Sequence, residues 1–129
     1  MYKFLILLTI VIIACNSSKV INATSVEQIK FGSGGGVTGI INEYTLNSNG
    51  KILNENQSEV AKVNRFELVD LFQEGKALLK YDLNSPQNMY YFIQINGVND
   101  TNRLIWGIET RSKDERINKL YQKLNNKVN

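Results

Sequence analysis

Residues 89–95 have the sequence MYYFIQI, which predicts a β-strand with large apolar side chains on both of its faces. Alternate residues from Met89 to Ile95 share one face, and Tyr90 and Phe92 share the reverse face. A half-exposed antiparallel strand usually carries polar side chains on its outer face. This strand is therefore either central in its sheet and covered on both sides, or its reverse face is a recognition surface.

A second strand, with the sequence RLIW at residues 103–106, is predicted to pair with it in a β-hairpin. The first third of the chain predicts a smaller antiparallel meander. Its turn is Asn49-Gly50, a pair that favours a type I′ hairpin turn. Strands are expected before and after that turn because alternating segments flank it.

Two helix starts are visible in the sequence. Asn64 is followed three residues later by Glu67, and Ser112 is followed in the same way by Glu115. This spacing predicts a capping box, in which the two side chains satisfy each other's free backbone N–H groups. Each pair precedes a segment with helical periodicity of its apolar residues, so each predicts an amphipathic helix.

The order of these elements is strand, strand, strand, helix, strand, strand, helix, written βββαββα. It predicts an α+β domain with an antiparallel sheet of about five strands and two helices packed on one face. We expect this single globular domain to cover residues 26–129. The opposite face of the sheet is then the natural place for a partner.

The N-terminus has the pattern of a secretion signal. Lys3 precedes the apolar residues 4–14, and this run is shorter than the roughly 20 residues that a membrane-spanning helix needs. Residues 1–14 are therefore predicted to be a signal peptide.

Cys15 follows the apolar run directly, and the segment resembles bacterial lipoprotein signals. The resemblance implies that Cys15 becomes the first residue and carries acyl chains such as palmitate, which anchor it stably when two or three are present. Residues 15–25 would then be the lipidated cysteine and a flexible tether with a reach of roughly 15–20 Å. The alternative is ordinary cleavage after Ser17, which would remove Cys15 and secrete the domain.

Composition excludes several functional classes. The chain has no histidine and one cysteine, so zinc sites built on Cys and His, Ser-His-Asp triads and internal disulfides are all excluded. The net charge of +3 is too small to indicate nucleic-acid binding, which needs a concentrated basic face. We expect no cofactor and no metal.

The glycine-rich stretch at residues 34–39 matches the letters G-x-G-x-x-G. In a dinucleotide site these glycines open a helix, whereas the residues that follow here alternate as in a strand. We interpret the stretch as a connection between strands, where glycine permits positive φ and close backbone approach. The alternative is that its N–H groups form an anion-binding nest.

Three segments together resemble a group of small uncharacterised lipoproteins of Bacteroidota. They are the stretch FGSGGGxTG at residues 31–39, the run NMYYFI at residues 88–93, and Trp106-Gly107. The resemblance implies a lipid-anchored envelope protein and carries no activity. Asn16 after the cysteine fits an outer-membrane location, and residues 17–19 lack the acidic run of a surface-export signal. We therefore expect the protein to face the periplasm.

The leading functional hypothesis is a lipid-anchored, non-enzymatic module of the cell envelope that binds a protein or a glycan. Its predicted binding residues belong to the glycine stretch and the aromatic hairpin: Gly34, Gly35, Gly36, Thr38, Asn88, Tyr90, Phe92 and Trp106. One alternative is a small hydrolase that uses carboxylates, although no catalytic pair is evident. Another is a structural module that contacts a membrane or polyanion through the basic face of its C-terminal helix.

Overall fold

The computed structural model describes residues 25–109, 112 and 114–129. The predicted signal peptide, residues 1–14, and residues 15–24 of the predicted tether at 15–25 lie outside these residues. Within the described part of the chain, no helix is long and apolar enough to cross a membrane.

The strands of the described residues form one sheet with the spatial order β4-β3-β2-β1-β6-β7-β5. All neighbours pair antiparallel except β5 and β7, which are parallel. The strands are β1 Val26–Gly35, β2 Asn42–Asn47, β3 Lys51–Leu53, β4 Glu59–Lys62, β5 Asn84–Ser85, β6 Met89–Gly97 and β7 Thr101–Gly107. Two helices complete the described fold, α1 at Arg65–Ala77 and α2 at Glu115–Asn125.

The α+β class and the mostly antiparallel sheet are confirmed, but the predicted number and order of strands are wrong. The sheet has seven strands, and the element order is ββββαβββα. The two strands that were missed are β4 and β5. Most of β4 is exposed and has no apolar alternation, and β5 is two residues long. Both are defined by backbone pairing to a neighbour, which leaves little trace in local sequence.

The strand at residues 89–95 is central, because β6 lies between β1 and β7. Ile93 is paired with Phe31 on one side and with Leu104 on the other. These residues belong to a single hydrophobic core that also contains the buried side chains of both helices. We call this side of the sheet the helix face and the other side the open face.

Helix α1 begins as the sequence predicts. The Asn64 side chain accepts a hydrogen bond from the Glu67 N–H at 3.0 Å, and the Glu67 carboxylate accepts one from the Asn64 N–H at 3.4 Å. Gly75 lies in the last turn of the helix and is buried, and a Cβ there would be 3.1 Å from Cδ1 of Ile29. The absence of a side chain thus brings α1 close to the sheet.

The predicted start of α2 is wrong by two residues. Its N-cap is Asp114, whose carboxylate accepts a hydrogen bond from the N–H of Arg116 at 2.9 Å. Ser112 is buried, and its hydroxyl accepts a hydrogen bond from the N–H of Asp114 at 3.2 Å. Ser112 therefore orders the residue that caps the helix. The prediction was wrong because Ser112 and Asp114 are both good cap residues, and the helix uses Asp114.

The turn between β2 and β3 also differs from the predicted type I′ turn. The N–H of Gly50 bonds to the carbonyl of Asn47 at 3.0 Å, and Gly50 has a φ of +82° while Asn49 has a negative φ. A type I′ turn centred on Asn49-Gly50 requires positive φ at both residues. The observed turn is a three-residue connection with glycine in the left-handed position.

Candidate functional site

The sheet register brings two of the predicted binding segments together. Gly34 is paired with Tyr90 and Gly35 with Met89, and the N–H of Gly36 bonds to the carbonyl of Asn88 at 2.7 Å. These residues lie at the end of the sheet where β1 leads into β2, which we call the loop end. The opposite end begins at Ser25, the first described residue.

The first two residues of the glycine stretch, Gly34 and Gly35, lie inside β1, because this strand runs to Gly35. The connection between strands covers residues 36–41, so it begins two residues later than the sequence suggests. Gly35 has a φ of +94°, and a Cβ built there would be 2.0 Å from the carbonyl oxygen of Asn88. Any side chain at this position would push β1 away from β6.

Gly34 creates space for an aromatic ring on the open face. A Cβ at this position would lie 2.7 Å from the Tyr90 hydroxyl oxygen and 2.9 Å from the ring carbon that bears it. The ring of Tyr90 therefore lies against the bare backbone of β1 and is half-buried. Gly34 and Tyr90 are therefore complementary across the two strands, because the missing side chain leaves the space that the ring occupies.

The loop itself exposes apolar side chains to solvent. Val37 is 105% exposed, Ile40 62%, Ile41 44% and the adjacent Met89 53%. We call these four residues the apolar tip. Thr38 is exposed among them, and residues 31–42 contain no charged side chain. Ile40 and Ile41, the two apolar residues just before β2, therefore lie outside the core.

Phe92 does not belong to an exposed aromatic surface. It is 0% exposed on the open face, where the guanidinium of Arg103 lies 4.1 Å from the centre of its ring. The pairing of Phe92 with Ile105 and of Gln94 with Arg103 places these side chains beside one another. Phe92 is therefore a buried support beneath Arg103, and its ring is not available to a ligand.

Trp106 lies on the helix face, because it pairs with Tyr91 and not with Tyr90. It is 4% exposed, and its ring is perpendicular to that of Tyr121 at 5.4 Å, while Tyr91 and Tyr121 are 4.7 Å apart. Burial raises the pKa of Tyr121, and the hydroxyls of Tyr91 and Tyr44 add to this effect. This cluster connects α2 to the sheet, so Trp106 and Tyr90 do not form one surface.

The structure also reveals a row of polar side chains that sequence reasoning missed. On the open face, Nη1 of Arg103 donates to Oε1 of Gln94 at 3.0 Å, and Nε2 of Gln94 donates to Oδ1 of Asn96 at 3.0 Å. Nδ2 of Asn96 then donates to Oε1 of Gln28 at 2.9 Å, and Nε2 of Gln28 donates to Oδ1 of Asn47 at 3.0 Å. We call these five residues the amide row. It crosses four strands, and only the register could reveal it.

The amide row ends in a polar cleft near Ser25. The cleft has a volume of about 700 Å³ and is lined by residues of three segments: Ser25, Val26, Glu27, Gln28, Asn47, Ser48, Asn49, Asn96 and Val98. Three members of the row are thus also walls of the cleft. The cleft and the apolar tip occupy opposite ends of β1, because that strand runs from Val26 to Gly35.

In the described residues, the carboxylates with shifted pKa values are held by cations. In the described residues, no group of three or more His, Cys, Asp and Glu side chains is placed to hold a metal ion. The pKa of Glu67 is lowered by its bond to Lys127, and the pKa of Asp114 is lowered to about 2 by Arg116. A catalytic acid needs the opposite shift, so these two carboxyl groups serve as structural anions.

The basic face of α2 is largely neutralised by carboxylates. Lys123 bonds to Glu74 and lies 3.2 Å from Asp70, and Lys127 lies 2.7 Å from Glu67. These carboxylates belong to α1, so the cations hold the two helices together. Two further pairs lie within or beside α2 itself: Arg116 with Asp114, and Lys119 with Glu115.

Comparison of the chain with protein-family models and with curated proteins found no match.

Proposed function

We propose that this protein is a lipid-anchored binding module of the cell envelope, held at the membrane by Cys15, and that its apolar tip binds a partner protein. The observation that carries the proposal is the exposure of Val37, Ile40 and Ile41 together at one end of the sheet. Exposed apolar residues that lie together on a protein surface are typical of interaction sites.

The tip is well suited to present a contact surface. Its base is held by the pairing of Gly35 with Met89 and by the bond from the N–H of Gly36 to the carbonyl of Asn88. The N–H of Gly39 also bonds to the carbonyl of Gly36 at 3.2 Å. A loop ordered in this way loses less entropy when a partner binds.

The position of the tip favours a protein over the anchoring membrane as its partner. The tether would join the domain at Ser25, and β1 continues from Val26 for ten residues before the loop begins. A strand of that length spans about 30 Å. An anchor at Cys15 therefore lets the tip extend away from the bilayer toward the periplasm.

The paired charges favour binding over the two alternative functions. The lowered pKa values of Glu67 and Asp114 do not suit acid catalysis. Lys123 of α2 and Lys127, which follows this helix, already bond to carboxylates of α1, and a membrane or polyanion would have to displace these carboxylates.

The tip is tested by site-specific photo-crosslinking of the full-length protein in its own membrane. A photoreactive phenylalanine analogue at Val37 or Ile40 should give a discrete protein adduct. The same analogue at Phe66 is the matched control, because Phe66 is 88% exposed on α1 and lies outside the tip. Adducts of equal yield at all three positions, or adducts to lipid alone, would refute a protein partner at the tip.

A variant separates binding from folding. Ile40→Ser with Ile41→Ser should abolish the adduct formed at Val37 while the free energy of unfolding changes by less than about 0.5 kcal/mol, because exposed positions contribute little to stability. Undiminished crosslinking in this variant would contradict the assignment.

The anchor has its own test. Cells labelled with a palmitate analogue should incorporate it into the wild-type protein and not into Cys15→Ser. Incorporation that survives Cys15→Ser would refute lipidation at this residue, and a mature protein that lacks Cys15 would indicate ordinary secretion.

A further inference from the structure

We propose that the amide row and the cleft at its end form a second binding site, for a neutral oligosaccharide. This site is distinct from the apolar tip, since it lies on the open face and at the opposite end of β1. The residues that would contact the sugar are Gln28, Asn47, Asn96 and the turn residues Ser48 and Asn49.

The amides of the row retain hydrogen-bonding capacity on the exposed side. A carboxamide has two N–H donors and two acceptor lone pairs. Gln94, Asn96 and Gln28 each use one donor and one acceptor within the row. Each of these three amides therefore offers one further donor and one further acceptor. Sugar hydroxyls require this combination, because each of them both donates and accepts.

The row is held in position before any ligand arrives. Each amide is fixed by bonds of 2.9–3.0 Å to its neighbours, so less side-chain entropy is lost on binding. All four bonds point in the same direction, from the guanidinium of Arg103 to the side-chain carbonyl of Asn47. Hydrogen bonds in such a chain polarise one another, which strengthens the free N–H donors of Asn47 at the cleft.

The dimensions and the charge of the cleft select the class of ligand. Its volume of about 700 Å³ lies within the range of small-molecule sites. Among the described residues that line it, the cleft contains one carboxylate, Glu27, and no cation. Arg103 stands outside the lining and is engaged by Gln94 and Phe92. An acidic glycan would find no positive partner among these described residues, so the lining favours a neutral glycan.

The site is tested by NMR titration of the full-length protein in a zwitterionic detergent, which contains no sugar. Maltohexaose, xylohexaose and mannohexaose serve as neutral probes, and hexagalacturonate serves as the acidic comparison. At least one neutral probe should shift the side-chain NH₂ signals of Gln28 and Asn96 saturably at millimolar concentration. No saturable shift with any neutral probe, or tighter binding of hexagalacturonate, would overturn the proposal.

Variants distinguish the row from the rest of the surface. Gln28→Met keeps the size of the side chain and removes its hydrogen bonds, so affinity should fall about tenfold or more, as expected when two or more hydrogen bonds are lost. Asn47→Ala provides a second variant if the first fails to fold. Gln73→Met on the exposed surface of α1 is the matched control and should bind normally. Equal binding by Gln28→Met and Gln73→Met would overturn the assignment.

The outcome is independent of the apolar tip. The variant with Ile40→Ser and Ile41→Ser should bind the neutral probe as the wild type does. Sugar-induced shifts confined to Gly36 and Val37 would move the sugar to the tip and overturn the site proposed here.

Discussion

The guanidinium of Arg103 lies 4.1 Å from the centre of the Phe92 ring, on the face of the sheet that carries no helix in the described residues. Phe92 is nevertheless 0% exposed. Arg103 therefore covers an aromatic side chain and, through Gln94, begins the amide row. Arg103 therefore contacts both the buried Phe92 ring and the first amide of the row on the open face.

Replacing Arg103 should destabilise the protein. Arg103→Ala removes the cation–π contact and the bond to Gln94, which predicts a loss of about 1–2 kcal/mol in the free energy of unfolding. Arg103→Lys should lose less because it keeps the charge above the ring. Urea denaturation measures both, with the exposed Lys80→Ala as the control. Equal stability of Arg103→Ala and Lys80→Ala would contradict this role.

Two glycines of the loop end should differ in their tolerance of alanine. Gly39 has a φ of +63°, and a methyl group added to it would meet no atom within 4 Å, so Gly39→Ala should cost only the left-handed strain of about 1–2 kcal/mol. Gly35→Ala adds a clash with the carbonyl of Asn88 and should cost more. Thermal denaturation of both variants tests the order. Equal costs for the two variants would show that the close approach of Gly35 to the carbonyl of Asn88 adds nothing to the cost of Gly35→Ala.

Asp114 should make stability sensitive to acid. Hydrogen bonds from Arg116 lower its pKa from 3.8 to about 2. The folded state therefore favours the ionised form, and this stabilisation is present above pH 3.8 and is lost as the pH falls toward 2. Asp114→Asn keeps an N-cap residue and removes the titration. Unfolding measured from pH 6 to pH 2 should show a smaller acid-induced loss in the variant, and an unchanged loss would refute the assignment.

Tyr121 should make stability sensitive to base. Burial raises its pKa above the ordinary value of 10.0, with contributions from Tyr91 and Tyr44. The folded state favours the neutral phenol, so this stabilisation is complete below pH 10.0 and is lost as the pH rises above it. Tyr121→Phe should reduce the alkaline loss, measured by denaturation at rising pH. The same alkaline loss in wild type and variant would contradict a buried, neutral Tyr121.

The local sequence was sufficient to predict those features that depend on residues close together in the chain. The cap formed by Asn64 and Glu67 joins residues three positions apart, and the alternation of residues 89–95 follows from the geometry of a single strand. The same local interpretation was wrong at Ser112, because Asp114 is an equally good cap two residues later. It also assigned the glycines near Gly34 to a loop, because glycine marks both turns and close strand contacts.

The sequence by itself determined the α+β class, the cap of α1, and the apolar character of both faces of β6. The tertiary structure decided which residues meet: Tyr90 with Gly34, Trp106 with Tyr121 across the helix face, and Gln28 with Asn96 and Asn47 across the open face. The physical reason is that cross-strand neighbours are set by the register of backbone hydrogen bonds. That register depends on how the whole apolar face packs beneath the helices.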